Sequence, residues 1–142
     1  MTLSSEFVPR PQRRWVYSPA ASFTVTRTAE TSVIIAVGDL DLTVTGDLAA
    51  LLGQEVGLRP RALVLDASAV SFCAARGVTV LLDAVADAEV AGVPFAVVGR
   101  QQALLRPITV LGLEQVLPLH HSAADAVAWL ALLPQLTDLN AC

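Results

Sequence analysis

The amino-acid sequence predicts a single α/β domain with a mixed, mostly parallel sheet of about five strands and four helices. Three observations support this class. The 142 residues suffice for one sizeable core, and 54% of them are hydrophobic against 15% charged, which argues against disorder. Short apolar runs rich in β-branched residues alternate with amphipathic segments of helical spacing. Such alternation implies parallel strands joined by right-handed crossovers.

The first predicted elements are two strands that form an antiparallel addition at one side of the sheet. FTVTRT, which begins at Phe23, alternates apolar residues with threonines as an edge strand does. SVIIAVGDLD is a denser apolar strand that ends at a Gly38–Asp39 turn. TVTGDLAALLGQEVGL then has leucines near helical spacing, with Thr45 or Asp47 as the predicted cap.

The rest of the chain continues the alternation. RALVLDAS is typical of a central buried strand and ends in Asp66, and RGVTVLLDAVADAEVAG predicts an amphipathic helix that stops at Gly92. PFAVVG is the next strand, and RQQALLRPITVLGLE predicts a helix that Pro107 interrupts or kinks. QVLPLHHS predicts a short last strand. SAADAVAWLALL predicts a final helix that Ser122 caps and Pro134 ends.

The two ends of the chain differ from the domain, which we expect to span residues 21–133. Residues 1–20 hold three prolines, which forbid a regular helix, and three arginines, so a flexible arm is predicted. An alternative is a partner- or acid-binding arm, in which Trp15 and Tyr17 dock on the domain or on a partner. Residues 134–142 are predicted to form a frayed C-terminal tail.

Charge and cysteine content argue against several classes of function. The formal net charge of −4 and the pI of about 4.9 disfavour nucleic-acid binding. The apolar stretches are much shorter than the roughly 20 residues that span a bilayer, and the first residues lack the apolar region of a signal peptide. Cys73 and Cys142 give no disulfide framework. We therefore expect a cytoplasmic protein that binds neither nucleic acid nor membrane.

Candidate sites lie where strands end, because ligands of open α/β sheets gather beyond the carboxyl ends of the strands. This rule selects the Gly38–Asp41 turn, the loop over residues 66–77 and the Gly99–Gln102 turn. None of them carries a Walker A lysine motif or a GxGxxG pattern, so a dedicated nucleotide site is not indicated.

Two groups of titratable residues are candidates for metal or catalytic sites. Asp39, Asp41 and Asp66 form a conceivable acid cluster for magnesium or phosphotransfer, but the usual lysine partner is absent, which favours a solvated turn. His120 and His121 are adjacent and face opposite sides of a strand, and no third ligand stands at metal spacing. A serine hydrolase lacks its Gly-x-Ser-x-Gly elbow. We expect no metal and no cofactor.

Cys73 is the one candidate nucleophile. A thiol close to a helix start and near Arg76 can have a lowered pKa and react as thiolate. It follows Phe72 in an apolar context, however, and belongs to no Cys-x-x-Cys pair. A packed thiol is the favoured interpretation, and a thiol-regulated switch through Cys73 stays open as an alternative.

Two stretches of the sequence resemble STAS domains, the anti-sigma-factor antagonist family. VIIAVGDLDLTVTGDLAALL is similar to the Gly-Glu-Leu-Asp strand-turn-helix of the family. LVLDASAVSFCAARGVTVLL is similar to its second block, in which Asp-x-Ser, Phe and Asp-Ser-x-Gly precede a helix; Asp66, Ser68, Phe72 and Gly77 occupy the family's positions. The resemblance covers about residues 23–133 and implies a STAS-like single domain.

The resemblance also implies a regulatory mechanism. In this family an anti-sigma kinase phosphorylates the serine of Asp-Ser-x-Gly, and the unphosphorylated domain captures that kinase and releases the sigma factor. Here Ala74 occupies the position of the Asp, Ala75 that of the phospho-acceptor serine, and Arg76 the variable position. Alanine cannot accept a phosphoryl group. Ser71 and Thr79 are nearby hydroxyls, but their spacing is wrong.

The resemblance therefore implies a non-catalytic domain that regulates transcription by partner switching. The expected partner is an anti-sigma factor of the serine-kinase type, or another regulator of that pathway, bound without phosphorylation at the usual site. A domain that senses a small ligand or nucleotide, and a small enzyme using the three aspartates, are the remaining alternatives; homodimerisation is left open. The predicted partner surface comprises Gly38, Asp39, Asp41, Ala74, Ala75, Arg76 and Thr79.

Overall fold

The computed structural model of the protein describes residues 12–17, 20–29 and 31–141, with side chains for 20–29 and 31–132. In that part of the chain the α/β class is confirmed. The elements are β1 (Gln12–Tyr17), β2 (Ala21–Arg27), β3 (Ser32–Leu40), α1 (Thr45–Gly57), β4 (Leu63–Cys73), α2 (Ala75–Ala91), β5 (Phe95–Val98), α3 (Gln102–Val110), β6 (Leu119–His120) and α4 (Ala123–Ala141).

The strands form one sheet in the order β1-β2-β3-β4-β5-β6. β1, β2 and β3 pair antiparallel, and β3 to β6 pair parallel, so the predicted mixed and mostly parallel sheet is confirmed. The predicted pair of antiparallel strands corresponds to β2 and β3. Their register runs from Ala21 opposite Gly38 to Arg27 opposite Ser32.

β1 is a sixth strand, within the range for which the sequence predicted a flexible arm. It pairs with β2 from Gln12 opposite Arg27 to Tyr17 opposite Ser22. The prolines of the arm lie outside this strand, so each of its residues keeps a backbone N–H for the ladder. The boundaries of arm, domain and tail stay predictions, and the side chains of Trp15 and Tyr17 lie outside the described residues.

Helices cover the two faces of the sheet unequally. α1, α2 and α3 pack on one face over the main core, in which the largest fully buried side chains include Phe23, Ile34, Leu65 and Leu81. α4 packs on the other face through Ala126 and Leu130, against buried side chains of β4 and β5. Burying each large aliphatic or aromatic side chain contributes about 1.5–3 kcal/mol, so the three-helix face dominates the core.

A buried carboxylate ties three elements of the core together. Glu55 of α1 is fully buried and accepts hydrogen bonds from Arg27 Nε of β2 at 3.0 Å and from Ser32 Oγ of β3 at 2.7 Å. A second guanidinium nitrogen of Arg27 forms an ion pair with the other carboxylate oxygen. The hydrogen bond to Glu55 raises the pKa of Arg27. We call these three residues the Glu55 cluster.

The predicted helix ends are partly confirmed. Ser122 caps α4, since its Oγ accepts a hydrogen bond from the Asp125 amide at 3.1 Å. α2 ends at Ala91, and the predicted stop, Gly92, is its C-cap residue, whose φ of 73° lies in the left-handed region. The expected cap of α1 is wrong, because the helix begins at Thr45 with Val44 in the cap position and no side-chain hydrogen bond there.

Two prolines do not end their helices. α3 continues through Pro107 to Val110, and α4 continues through Pro134 to Ala141, so the prediction that Pro134 stops the last helix is wrong. A proline inside a helix removes one hydrogen bond, but the leucines, alanines and glutamine around Pro134 favour helix. In the described part of the chain, no helix combines the length and apolar character needed to cross a membrane.

Candidate functional site

The carboxyl ends of β3 and β4 lie side by side and bring the predicted partner-binding residues together. Asp39 pairs with Phe72, and Leu40 pairs with Cys73. The chain then turns directly into α2, where the Ala74 amide donates a hydrogen bond to the Leu40 carbonyl at 2.9 Å. Residues far apart in sequence thus form one edge of the domain, as the parallel-sheet rule predicts.

β4 is longer than the sequence predicted. The expected strand ended at Asp66 before a loop over residues 66–77, whereas the structure keeps the chain extended to Cys73. Two register shifts in its pairing with β3 accommodate the additional residues as bulges. The prediction of a loop is wrong because pairing with the end of β3, and not the apolar pattern of β4 itself, holds this segment.

Gln101 fixes the bulged part of β4 from the opposite side. Its Nε2 donates hydrogen bonds to the carbonyl oxygens of Ala67 at 2.7 Å and Val70 at 2.9 Å. Gly99 makes room for this side chain, because a Cβ there would lie 2.9 Å from Gln101 Oε1 and φ is +134°. The strand-end rule selects the turn at residues 99–102 but does not indicate this role, for which a glutamine two residues after Gly99 is the one sequence signal.

Gly38 allows a close approach between the backbones of β3 and the residue before β2. Its φ is +110°, and a Cβ would lie 2.4 Å from the Ala20 carbonyl oxygen, which also accepts a hydrogen bond from the Asp39 amide at 3.0 Å. The predicted Gly38–Asp39 turn is wrong, since both residues belong to β3 and the turn follows Leu40. The strand therefore presents Asp39 from extended backbone.

Asp41 and Asp66 each accept hydrogen bonds from a residue two positions further along the chain. Asp41 Oδ1 accepts hydrogen bonds from the Thr43 amide at 2.9 Å and from the Thr43 hydroxyl. Asp66 Oδ1 accepts from the Ser68 amide at 3.1 Å and from its hydroxyl at 2.6 Å. Among the residues with described side chains, no three His, Cys, Asp or Glu residues are grouped so that they could hold a metal ion. The acid-cluster alternative therefore gains no support.

The start of α2 presents an alanine where the resemblance places a phospho-acceptor. Ala74 occupies the cap position with extended backbone and no side-chain cap, and Ala75 and Arg76 are exposed. Gly77 is buried, and a Cβ there would lie 2.9 Å from Cys73 Sγ. Thr79 is exposed one turn later, with its hydroxyl 3.4 Å from the Ala75 carbonyl oxygen that accepts its hydrogen bond.

Cys73 is a packed residue. It is 4% exposed, and burial raises the pKa of its thiol to about 11. The thiol is therefore protonated at neutral pH, which removes the nucleophilic form. The thiol-switch alternative gains no support from this geometry, and the predicted packed thiol fits it.

An apolar groove of about 570 Å³ opens beside the start of α2. Phe72 is 50% exposed here, Val110 is 78% exposed and Leu111 is 45% exposed. Arg106 is the one charged side chain among the described residues that line it. No local sequence pattern indicates this groove, which we call the α3 groove. Its apolar lining includes Phe72, Ala75, Ala103, Pro107, Val110 and Leu111.

The two histidines lie at and just after the end of β6, two strands away from β4 in the sheet. The His120 ring contacts Trp129 of α4 with 5.0 Å between ring centroids, and burial lowers the pKa of His120. His121 is exposed. The pair thus occupies two environments, as expected for neighbours along a strand end.

Comparison with known proteins identifies the class to which this fold belongs. The family model described as Mlab, STAS domain, matches residues 23–119. The chain belongs to the STAS domain family, which confirms the resemblance inferred from the two sequence blocks.

Individual relatives are anti-sigma factor antagonists. The chain is 36% identical over 92 residues to the anti-sigma-F factor antagonist RsfB of Mycobacterium tuberculosis, a match covering 63% of this chain and 73% of the relative. A crystal structure of an anti-sigma factor antagonist from Mycobacterium paratuberculosis superposes with a TM-score of 0.73 at 29% identity, over 82% of this chain and 99% of that one. SpoIIAA in its unphosphorylated form shares the fold, with a TM-score of 0.62 at 18% identity over 74% and 92% of the two chains.

Proposed function

We propose that this chain is a non-catalytic cytoplasmic regulator that binds an anti-sigma factor, or another regulator of the same pathway, without phosphorylation at residue 75. The names of its relatives support the role, since RsfB and the Mycobacterium paratuberculosis protein are anti-sigma factor antagonists. The proposed partner is an anti-sigma factor of the serine-kinase type. Control of transcription would then follow from which partner the anti-sigma factor holds.

The observation that carries the proposal is the exposed methyl group of Ala75 at the start of α2. The residues around Ala75 support this position: Phe72 is half exposed, Gly77 packs on Cys73, and the Ala74 amide donates a hydrogen bond to the last residue of β3. A phosphoserine would add about −1.5 to −2 charges here and repel an acidic surface. Alanine cannot acquire that charge, so binding is expected to be constitutive.

The proposed docking surface joins the end of β3 to the start of α2. It carries the carboxylates of Asp39 and Asp41 at and just after the end of β3, and the exposed Arg76 side chain in the first turn of α2. Charged rims of this kind set specificity and association rate more than total affinity. Its residues are Gly38, Asp39, Asp41, Ala74, Ala75, Arg76 and Thr79.

The test measures binding of the purified chain to each anti-sigma factor encoded in the same genome, with and without ATP. We expect one of them to bind the wild type in both conditions and to lose affinity for Ala75→Glu, which places a carboxylate at the acceptor position. Ala86→Glu, at an exposed position further along α2, is the matched control and should bind as the wild type does.

Two results would overturn the proposal: the absence of any anti-sigma partner, or incorporation of phosphate within residues 71–79. Homodimerisation and nucleotide sensing stay predictions. Sedimentation checks the first, and a thermal-shift series with nucleotides checks the second.

A further inference from the structure

We propose that the α3 groove receives an amphipathic helix of the partner protein, with apolar side chains against Phe72 and Val110 and a carboxylate against Arg106. The inference rests on the proposed function, because Ala75 lines the groove and makes it continuous with the docking surface. It assigns the groove an occupant of defined chemistry and gives α3 a role in partner selection.

The exposed apolar area of the groove gives the binding its driving force. Phe72, Val110 and Leu111 are between 45% and 78% exposed and line one concave surface. Removing apolar surface from water contributes about 25 cal/mol per Å², and contiguous exposed apolar patches mark interaction sites. A volume of about 570 Å³ admits several side chains of a partner.

The short free edge of β4 favours a helix over an extended peptide as the occupant of the groove. Strand addition needs an edge of unpaired N–H and C=O groups. On one side the end of β4 pairs with β3, through Phe72 and Cys73. On the other side Gln101 occupies the carbonyl oxygens of Ala67 and Val70, so that only residues 71–73 remain beyond them for pairing with an extended peptide. The remaining walls are the start of α2 and α3, which form the kind of groove that accepts apolar residues at helical spacing.

The charge of the groove selects a carboxylate on that helix. Arg106 lines the groove, and Arg76 follows Ala75 at its rim. Neither arginine forms an ion pair with another residue in the described part of the chain. This local positive charge stands in a chain of net charge −4, so the groove differs in sign from the protein as a whole. Complementary charge favours an acidic partner and disfavours a basic one.

The test selects binders from a phage-displayed library of random peptides of about 15 residues, long enough to form several helical turns. The expected winners carry apolar residues at i, i+3 or i+4 and i+7 together with Asp or Glu. Val110→Asp and Arg106→Glu should each weaken their binding by about tenfold or more, which corresponds to about 1.4 kcal/mol. Val90→Asp and Arg61→Glu, at exposed positions elsewhere, should bind as the wild type does.

Three results overturn the inference. No peptide is enriched; the enriched peptides are basic, or alternate apolar and polar residues as β-strands do; or the enriched peptides bind all four variants equally. Its failure is distinguishable from failure of the proposed function. An anti-sigma factor that binds Val110→Asp and Arg106→Glu as tightly as the wild type leaves the proposed function intact and removes the groove from it. Acidic helical peptides that bind while no anti-sigma factor does would contradict the proposed function alone.

Discussion

The two ends of β3 carry opposite kinds of structure. At its first residue, Ser32 donates to Glu55, and Arg27 completes the buried Glu55 cluster. At its last residues the strand reaches an edge where Ala75 and Arg76 are exposed and Phe72 is half exposed. Polar groups inside the first end satisfy one another, whereas the second end keeps apolar and charged groups available for a partner. The first end therefore stabilises the fold, whereas the second end leaves side chains accessible to a partner.

The largest effect on stability is expected when the Glu55 cluster is disrupted. Arg27→Met leaves the Glu55 carboxylate buried without its cation, and loss of one partner from a buried pair costs about 3–5 kcal/mol. We expect a loss of about 3 kcal/mol in the free energy of unfolding, measured by urea denaturation, because the Arg27 side chain is 29% exposed and part of the pair already meets water.

The double variant Arg27→Met/Glu55→Leu is the control for this prediction. It removes both charges and should recover most of the lost stability. Wild-type stability in Arg27→Met would show that the Glu55 cluster does not hold the fold.

A smaller loss of stability is expected when Gln101 no longer holds the end of β4. Gln101→Leu leaves the carbonyl oxygens of Ala67 and Val70 without their donor, at a cost of about 1–3 kcal/mol. Amide hydrogen exchange over residues 67–73 should accelerate, and partner affinity should fall although Gln101 need not touch the partner. Gln115→Leu, at an exposed position, is the matched control. Unchanged exchange in Gln101→Leu would contradict the role given to this side chain.

The smallest effect concerns His120, which belongs to neither end. Burial lowers its pKa, so the unfolded chain takes up the proton at a higher pH than the folded chain does. Its contribution to stability is therefore complete above the unfolded pKa of about 6.5 and is lost as the pH falls below that value. The melting temperature of the wild type should drop more between about pH 8 and about pH 5 than that of His120→Gln.

His121→Gln is the control for this pH dependence, because His121 is exposed and should behave as the wild type does. Equal pH dependence in both variants would remove the assignment to His120.

Local sequence patterns predicted most of the order of strands and helices, because apolar periodicity and glycine positions act within single elements. They did not predict the length of β4, which depends on pairing with the end of β3 and on Gln101. The Glu55 cluster left a signal that was not used: Glu55 falls at helical spacing from Leu48, Leu51 and Leu52 on the buried face of α1. A charged residue at such a position requires a buried partner.

Local sequence patterns likewise predicted one part of the candidate site and not the other. The exposed start of α2 followed from aligned motif positions, which place Ala74, Ala75 and Arg76 before a helix. The α3 groove requires Phe72 of β4 to meet Arg106 and Val110 of α3, and no local pattern joins residues of two elements in this way. Whether the predicted surface binds a partner stays a prediction.

The mass of the intact chain after incubation with a candidate anti-sigma factor and ATP tests most directly whether position 75 lacks the phosphorylation switch. We expect no added phosphate on the wild type and unchanged affinity. Ala74→Asp/Ala75→Ser, which introduces the family's acceptor pair, should gain one phosphate and release the partner. A phosphate on the wild-type chain at Ser71 or Thr79, accompanied by loss of binding, would contradict this expectation.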